Sequence, residues 1–528
     1  MNSIKSMWVK AWHGSPPRSM LLLVNIITVL IMSIPIVYIF SRALTAPIEK
    51  WEIIFKTRIP FLLWNTLSLA LTVTLITTII GVALAWLVEH SNLPGRKFFK
   101  IALSLPLLIP PYIGALTYVI FFGPRDILYS SLGESPINIY SFFSVAFILS
   151  MFTFPYVFLI VCASLRKISA NYAEAGRSCG ASYYIIFRRI ILPLMKPAIL
   201  SSSIIVLFYI VSDFGAISML RYTTFSSSIY FQMVGSLDRS SAAILSIVLV
   251  ALGTAILLIK AYILNKKVFY QNSKSNRKIN PINLGKFKYI SLAFVGIVLL
   301  FSVILPLSTL TVWSIKGIND GVVTLKTLGY IKNSLTVSIG AAFITMIISV
   351  PVAYLKLRNP SKLTFIMNNI CHMGLVIPGT LLALGMVFFV SQYFSWLIGS
   401  QIILMVGFSI RYMSRNLQST EASMALISKN LDETAYSLGK NFNVVLLKVI
   451  LPSILPGVLS GGALVLVSSL KELPISLMLR GAGFDTLAVR IWIESSDGFY
   501  THAAPAGLLI VLVSILPLYL MLKNYKGD

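Results

Sequence analysis

Acids are scarce in this chain, 17 Asp plus Glu among 528 residues against 43 Lys plus Arg, so carboxylates inside apolar runs are the first candidates for chemistry. Asp213 and Glu472 are such a pair, 259 positions apart and each late in a long apolar stretch. A carboxylate in hydrocarbon is costly unless it faces a cavity or a partner, so two at equivalent places predict a vestibule that attracts a cation. The structural alternative is helix capping, or pairing with neighbours such as Lys471 or Arg221. The four histidines, His13, His90, His372 and His502, are too far apart to form a ligand cluster. Cys162, Cys179 and Cys371 form neither a C-x-x-C pair nor a disulfide framework, and the adjacent Cys371 and His372 read as helix packing. No G-x-x-x-x-G-K-[ST] phosphate loop occurs, so the chain is expected to bind no nucleotide and no metal, and to catalyse nothing itself.

A second spacing is duplicated. Residues 174–201, EAGRSCGASYYIIFRRIILPLMKPAILS, align with 433–460, ETAYSLGKNFNVVLLKVILPSILPGVLS, at nine of 28 positions, including Glu174/Glu433, Gly180/Gly439, Pro193/Pro452 and Pro197/Pro456. Each copy predicts a short helix, a glycine turn, a second helix and a Leu-Pro that disfavours helix continuation. One copy would read as an ordinary amphipathic interfacial loop. Two copies at equivalent places make a repeated knob, which implies a repeated socket on a partner.

The elements that carry these residues follow from composition. Apolar residues make up 57% of the chain and charged residues 11%, with a mean hydropathy of +0.86. These values exclude an ordinary soluble domain and a disordered chain. The net charge of +26 is scattered in short clusters and lines no single face, which argues against nucleic acid as a partner. Runs of about 20 apolar residues, enough to cross the hydrocarbon core, fall near 19–40, 62–88, 101–122, 141–164, 198–219, 242–263, 288–314, 333–355, 368–391, 397–414, 454–478 and 504–523. The first is too long for a signal-peptide core and lacks a small-residue cleavage site, so it reads as a retained anchor. The tenth is the shortest and carries Arg411, which must snorkel or face the bundle interior.

Basic clusters at Arg96, Lys97 and Lys100, at Arg166 to Lys196, and in the acid-free stretch 265–287 all fall on one side if twelve spans are counted. That places both termini in the cytoplasm. Residues 65–87 and 333–355 are identical at nine of 23 positions, so the chain is a repeat. An even number of crossings per copy makes the repeats parallel. The expectation is an all-α polytopic membrane protein of about twelve transmembrane helices in two six-helix repeats. Residues 1–264 form the first unit with its loop at about 166–196, 265–287 a cytoplasmic linker, and 288–528 the second unit with its loop at about 415–453.

At the duplicated loop the sequence resembles the permease subunits of binding-protein-dependent ABC importers, whose cytoplasmic signature is E-A-A, three residues, G, nine residues, I-x-L-P. The first copy has Glu174, Ala175, Gly176, Gly180, Ile190, Leu192 and Pro193; the second has Glu433, Thr434, Ala435, Gly439, Val449, Leu451 and Pro452. Gly176 and Thr434 each stand where the signature has alanine, and Val449 replaces isoleucine. The resemblance implies a type I importer permease in a bacterial inner membrane, with each hairpin docking as a coupling helix into one of two separate ATP-binding subunits. ATP would be bound on those partners, and a soluble binding protein outside the membrane would deliver substrate. The segments 212–232 and 471–492 are similar to the fused two-unit branch that handles ferric iron, with thiamine close by. Ferric iron is the substrate this implies, and thiamine or another small solute is the alternative. An ATP-independent secondary transporter shares the repeat layout but has no need of twin hairpins.

Overall fold

The computed structural model describes residues 19–123, 137–168, 170–265, 283–375 and 377–524. The principal helices are α1 (Ser19–Leu44), α2 (Ile59–His90), α3 (Pro111–Phe122), α4 (Phe142–Lys167), α5 (Leu192–Ser212), α6 (Arg239–Asn265), α7 (Phe287–Asn319), α8 (Leu325–Arg358), α9 (Gly379–Tyr393), α10 (Gln401–Ala425), α11 (Leu451–Leu470) and α12 (Tyr500–Asn524). Eight helices among the described residues are long and apolar enough to cross a membrane by themselves, and a bent pair supplies a ninth. α9, α10 and α12 complete the order expected from the apolar runs. Regular structure among the described residues is otherwise helical, apart from isolated bridges such as that between Gly399 and Arg480. The basic stretch expected as a linker lies mostly outside the described residues.

Proline decides where the runs differ from simple rods. The third run is bent by 93° between Arg96–Leu108 and α3. Pro106, Pro110 and Pro111 fall at that break; none has an N–H to continue the preceding helix, and Pro110 and Pro111 stand at the N-cap and first position of α3, where a helix accepts proline. The ninth run breaks likewise: helix Lys362–His372 passes through a short 3-10 turn to Pro378 and α9. The fifth and eleventh runs, expected as continuous to 219 and 478, stop at Ser212 and Leu470; Gly215–Met219 and Pro474–Leu479 are separate short helices. The tenth run is longer than expected, since α10 continues to Ala425, so the second hairpin begins later than residue 415. Arg411 faces inward, where it donates to the Gly374 carbonyl at 3.0 Å and to that of Ile377.

Leu-Pro steps leave a common mark. A π-helical turn precedes Leu192-Pro193 (Phe187–Ile191), Leu305-Pro306 (Leu300–Ile304) and Leu451-Pro452 (Val445–Ile450). A proline whose ring crowds the preceding carbonyls is relieved by widening the turn from i→i−4 to i→i−5.

Both halves share one packing plan. In the first, α2, α4 and α5 pack together; in the second, α8, α10 and α11 do the same. The leading helices cross over: α1 lies on α9 of the second half, and α7 lies on α3 of the first as well as on α12. Gly385 lets α1 approach α9, for a Cβ there would collide with the Pro35 carbonyl. Tyr118 of α3 donates to the Phe301 carbonyl of α7 at 2.7 Å. Lys50, on the short helix Ile48–Thr57, pairs at 2.9 Å with Asp238 ahead of α6. Burial pushes that carboxyl up, but the ammonium and Ser241 prevail and hold it at about 2, below the usual 3.8.

Candidate functional site

The first hairpin is the helix Ala170–Ser178, a turn at Gly180, and a helix that starts at Tyr183 and runs through the π turn into α5. The second is Lys429–Ser437, a turn at Gly439, and a helix from Phe442 into α11. Both turns are the same Schellman cap. Gly180 N donates to Arg177 O at 2.9 Å and Ala181 N to Gly176 O at 3.0 Å; Gly439 N donates to Tyr436 O at 2.9 Å and Lys440 N to Ala435 O at 3.2 Å. Both glycines take positive φ, 76° and 73°, a left-handed conformation costly for any residue with a Cβ.

Within the signature, the residues divide by exposure. Glu174, Ala175, Glu433 and Thr434 are exposed, whereas Gly176 is half-buried and Ala435 buried. A Cβ at Gly176 would lie 3.0 Å from Ile186 and 3.1 Å from Ile190, so only a very small residue lets the two arms of the hairpin close. The third signature position therefore packs the hairpin internally, and the first two face outward, available to a partner.

The hairpins are anchored differently. Arg358 at the end of α8 makes a two-point ion pair with Asp432, at 2.9 and 3.2 Å, and donates to the Ile427 carbonyl at 3.2 Å. Tyr354 donates to the same carboxylate at 3.2 Å. The pair is nearly water-free, with 9% and 6% of the side chains exposed. At the corresponding places the first half has His90, Trp86 and Ala173. There Trp86 stacks on His90 with centroids 4.8 Å apart and meets Phe187 edge-on at 4.6 Å. Glu89 beside them accepts from Lys100 and, at 3.0 Å to both oxygens, from Arg166.

Asp213 and Glu472 sit where α5 and α11 break. Asp213 Oδ1 accepts from the backbone N–H groups of Ala216 and Ile217 at 3.0 and 3.2 Å, so it caps the short helix that follows. Glu472 caps nothing: Oε2 accepts from the Tyr412 hydroxyl, and Oε1 has no hydrogen-bond partner among the described residues. Neither acid forms an ion pair with the neighbours considered from sequence. Lys471 donates to the Leu108 and Leu107 carbonyls at 3.0 and 3.4 Å, and Arg221 lies over the Tyr140 ring at 5.0 Å.

The two breaks meet across the seam between halves. A Cβ on Gly215 would lie 2.9 Å from Tyr112 and 3.2 Å from Leu473, and one on Gly379 would lie 2.6 Å from Glu472 Oε1. Phe214 stacks near Trp492 at 5.3 Å, and Ser226 bonds Thr380 at 3.2 Å. Tyr209 packs on Tyr156 with ring centroids 5.7 Å apart, and Tyr412 bonds Glu472. Sequence reasoning missed these tyrosines, although Tyr209 lies one helical turn before Asp213 and so on the same face.

Two repeated six-helix halves meeting at a polar seam, each with a protruding hairpin, are the layout of a membrane transport permease. The chain belongs to the family of binding-protein-dependent transport system inner membrane components, whose model matches residues 77–270 and 345–525. It is thus the multi-pass permease subunit of an importer whose ATPase and substrate-binding protein are separate chains. It is 28% identical over 514 residues to the Fe(3+)-transport system permease protein FbpB 2 of Haemophilus influenzae, covering 96% of this chain and 98% of that one. It is 23% identical to the ferric transport system permease protein FbpB of Actinobacillus pleuropneumoniae over 92% of this chain and 74% of the relative. Similarity extends to the sulfate transport system permease protein CysW of Escherichia coli, 27% identical over 37% of this chain and 68% of that protein.

Proposed function

We propose that this chain carries ferric iron across the inner membrane by alternating access, receiving it from a soluble binding protein. Relatives named for ferric transport that match over more than nine-tenths of this chain carry this reading, since the sulfate permease matches only part of it. The exposed faces at Glu174, Ala175, Glu433 and Thr434 dock into two ATPase subunits, one per hairpin, with both chain termini on that same cytoplasmic side. Gly180 and Gly439 shape the knobs, while Gly176 and Ala435 hold them closed. Closure of the ATPase pair brings the hairpins together and biases the halves from inward-open to outward-open, which requires that nucleotide have different affinity for the two states. Asp213 and Glu472 line the path where the halves meet.

The test is uptake into vesicles containing the permease, its ATPase and its binding protein, with radiolabelled ferric iron and thiamine offered in parallel. Iron entry dependent on ATP is the expected result. Thiamine entry without iron entry would refute the substrate, and entry of either solute without the ATPase would refute the coupling.

A further inference from the structure

Two buried oxygens at the seam have no partner among the described residues: Glu472 Oε1, on a residue 7% exposed, and the Tyr112 hydroxyl, on a residue 5% exposed. A buried polar atom without a partner costs free energy comparable to a lost hydrogen bond, so two that converge mark a place where something polar belongs. They lie at one contact: Gly215, two residues after Asp213, packs against both Tyr112 and Leu473, the neighbour of Glu472. Tyr412 donates to the other oxygen of Glu472, and Tyr209 lies one helical turn before Asp213 on the same face of α5. Among the described residues no three His, Cys, Asp or Glu side chains converge, so the donors at this place are carboxylates and phenols.

Resting on the ferric reading above, we infer that Asp213, Glu472, Tyr112, Tyr209 and Tyr412 form an oxygen-donor transit site for the ferric ion at the seam between halves. Hard cations select oxygen ligands, and carboxylate and phenolate are the charged oxygens that side chains can offer. Each phenolate bond to iron expels one phenolic proton, and the iron stays trivalent. Three of the five donors, Asp213, Tyr112 and Tyr209, come from the first six-helix unit, and Glu472 and Tyr412 come from the second. Rocking the units apart therefore dismantles the site. The nearby cations keep it weak. Lys471 and Arg411 are engaged with carbonyls at the breaks of the third and ninth runs, and Arg415 lies over the Tyr412 ring at 5.4 Å. A weak site is what passage requires, because a tight one would retain the ion.

The test is to titrate the purified permease–ATPase complex with ferric nitrilotriacetate and record the visible phenolate-to-iron charge-transfer band, with resonance Raman of the bound ring modes. The wild-type complex is expected to give the band. Tyr112→Phe, Tyr209→Phe or Tyr412→Phe should each weaken it, the triple variant should lose it, and Glu472→Gln should shift its midpoint to higher iron. Phenylalanine keeps the ring packing, and a monodisperse complex with bound ATPase establishes that each variant is folded. A wild-type complex that transports iron yet gives no band overturns this site and leaves the ferric reading standing. A band undiminished in the triple variant also overturns it. Failure of wild-type iron uptake would instead strike the ferric reading itself.

Discussion

Gly180 and Gly439 are selected by backbone geometry alone. Nothing lies within 4 Å of a Cβ built on either, so steric room is not what selects glycine there; the positive φ is. Alanine at that φ costs about 1–2 kcal/mol, whereas proline, locked near a φ of about −65°, cannot adopt it at all. Gly180→Pro or Gly439→Pro is expected to leave membrane insertion intact and to abolish uptake, with alanine at either position giving a partial loss. Uptake and ATPase rate measured on the assembled complex check this, and full uptake by either proline variant would remove the hairpin turn from the coupling path. The glycines were legible in sequence because the duplicated Glu-to-Gly-to-Leu-Pro spacing has no compositional explanation. The tyrosines at the seam were not: tyrosine is common in membrane proteins, and only the fold brings Tyr112 from the third span to the ends of the fifth and eleventh.

At the scale of elements, the two hairpins are copies in backbone and unlike in attachment. The second is tied to α8 by the Arg358–Asp432 pair, the first to α2 by the Trp86, His90 and Phe187 rings. Removing one partner of a buried ion pair leaves an uncompensated charge, at a cost of about 3–5 kcal/mol, while replacing both by apolar residues is often neutral. Arg358→Ala should therefore loosen the second hairpin and raise the ATP hydrolysed per solute carried. Arg358→Met combined with Asp432→Leu should recover much of the assembly. A ratio of hydrolysis to uptake unchanged by Arg358→Ala would mean that this pair does not hold the hairpin in the stroke. Periodicity could not have disclosed the anchor, because Asp432 has no acidic counterpart in the first copy and its partner lies 74 residues away. The helix breaks were half legible: the prolines were visible, but the run lengths hid that α5 and α11 stop short and that the third and ninth runs bend.

For the whole molecule, the duplicated order of spans was readable from the two aligned blocks, and the crossing of the leading helices was not, since alignment of a chain with itself says nothing about which copy a helix joins. α1 packs on α9 and α7 on α3, so each half completes the other. Further ties cross the same boundary: Asn25 of α1 donates to the Pro351 carbonyl of α8 at 3.3 Å, and Asn92 bonds Asn283 at 3.0 Å. Helices in lipid associate through close packing and interhelical hydrogen bonds, the hydrophobic effect being absent between them, so contacts of this kind decide whether separate pieces find each other. A chain cut between residues 266 and 282 and expressed as two pieces together should assemble, bind the ATPase and transport, at a reduced yield. Either piece expressed alone should be degraded or aggregate, because α9 or α3 then loses the helix that covers it. Blue-native gels and uptake measured on the co-expressed pieces read this directly. A first piece that folds and binds ATPase without the second would show that the halves are independent units joined only by their linker, and the crossing helices would then have no part in transmitting the stroke.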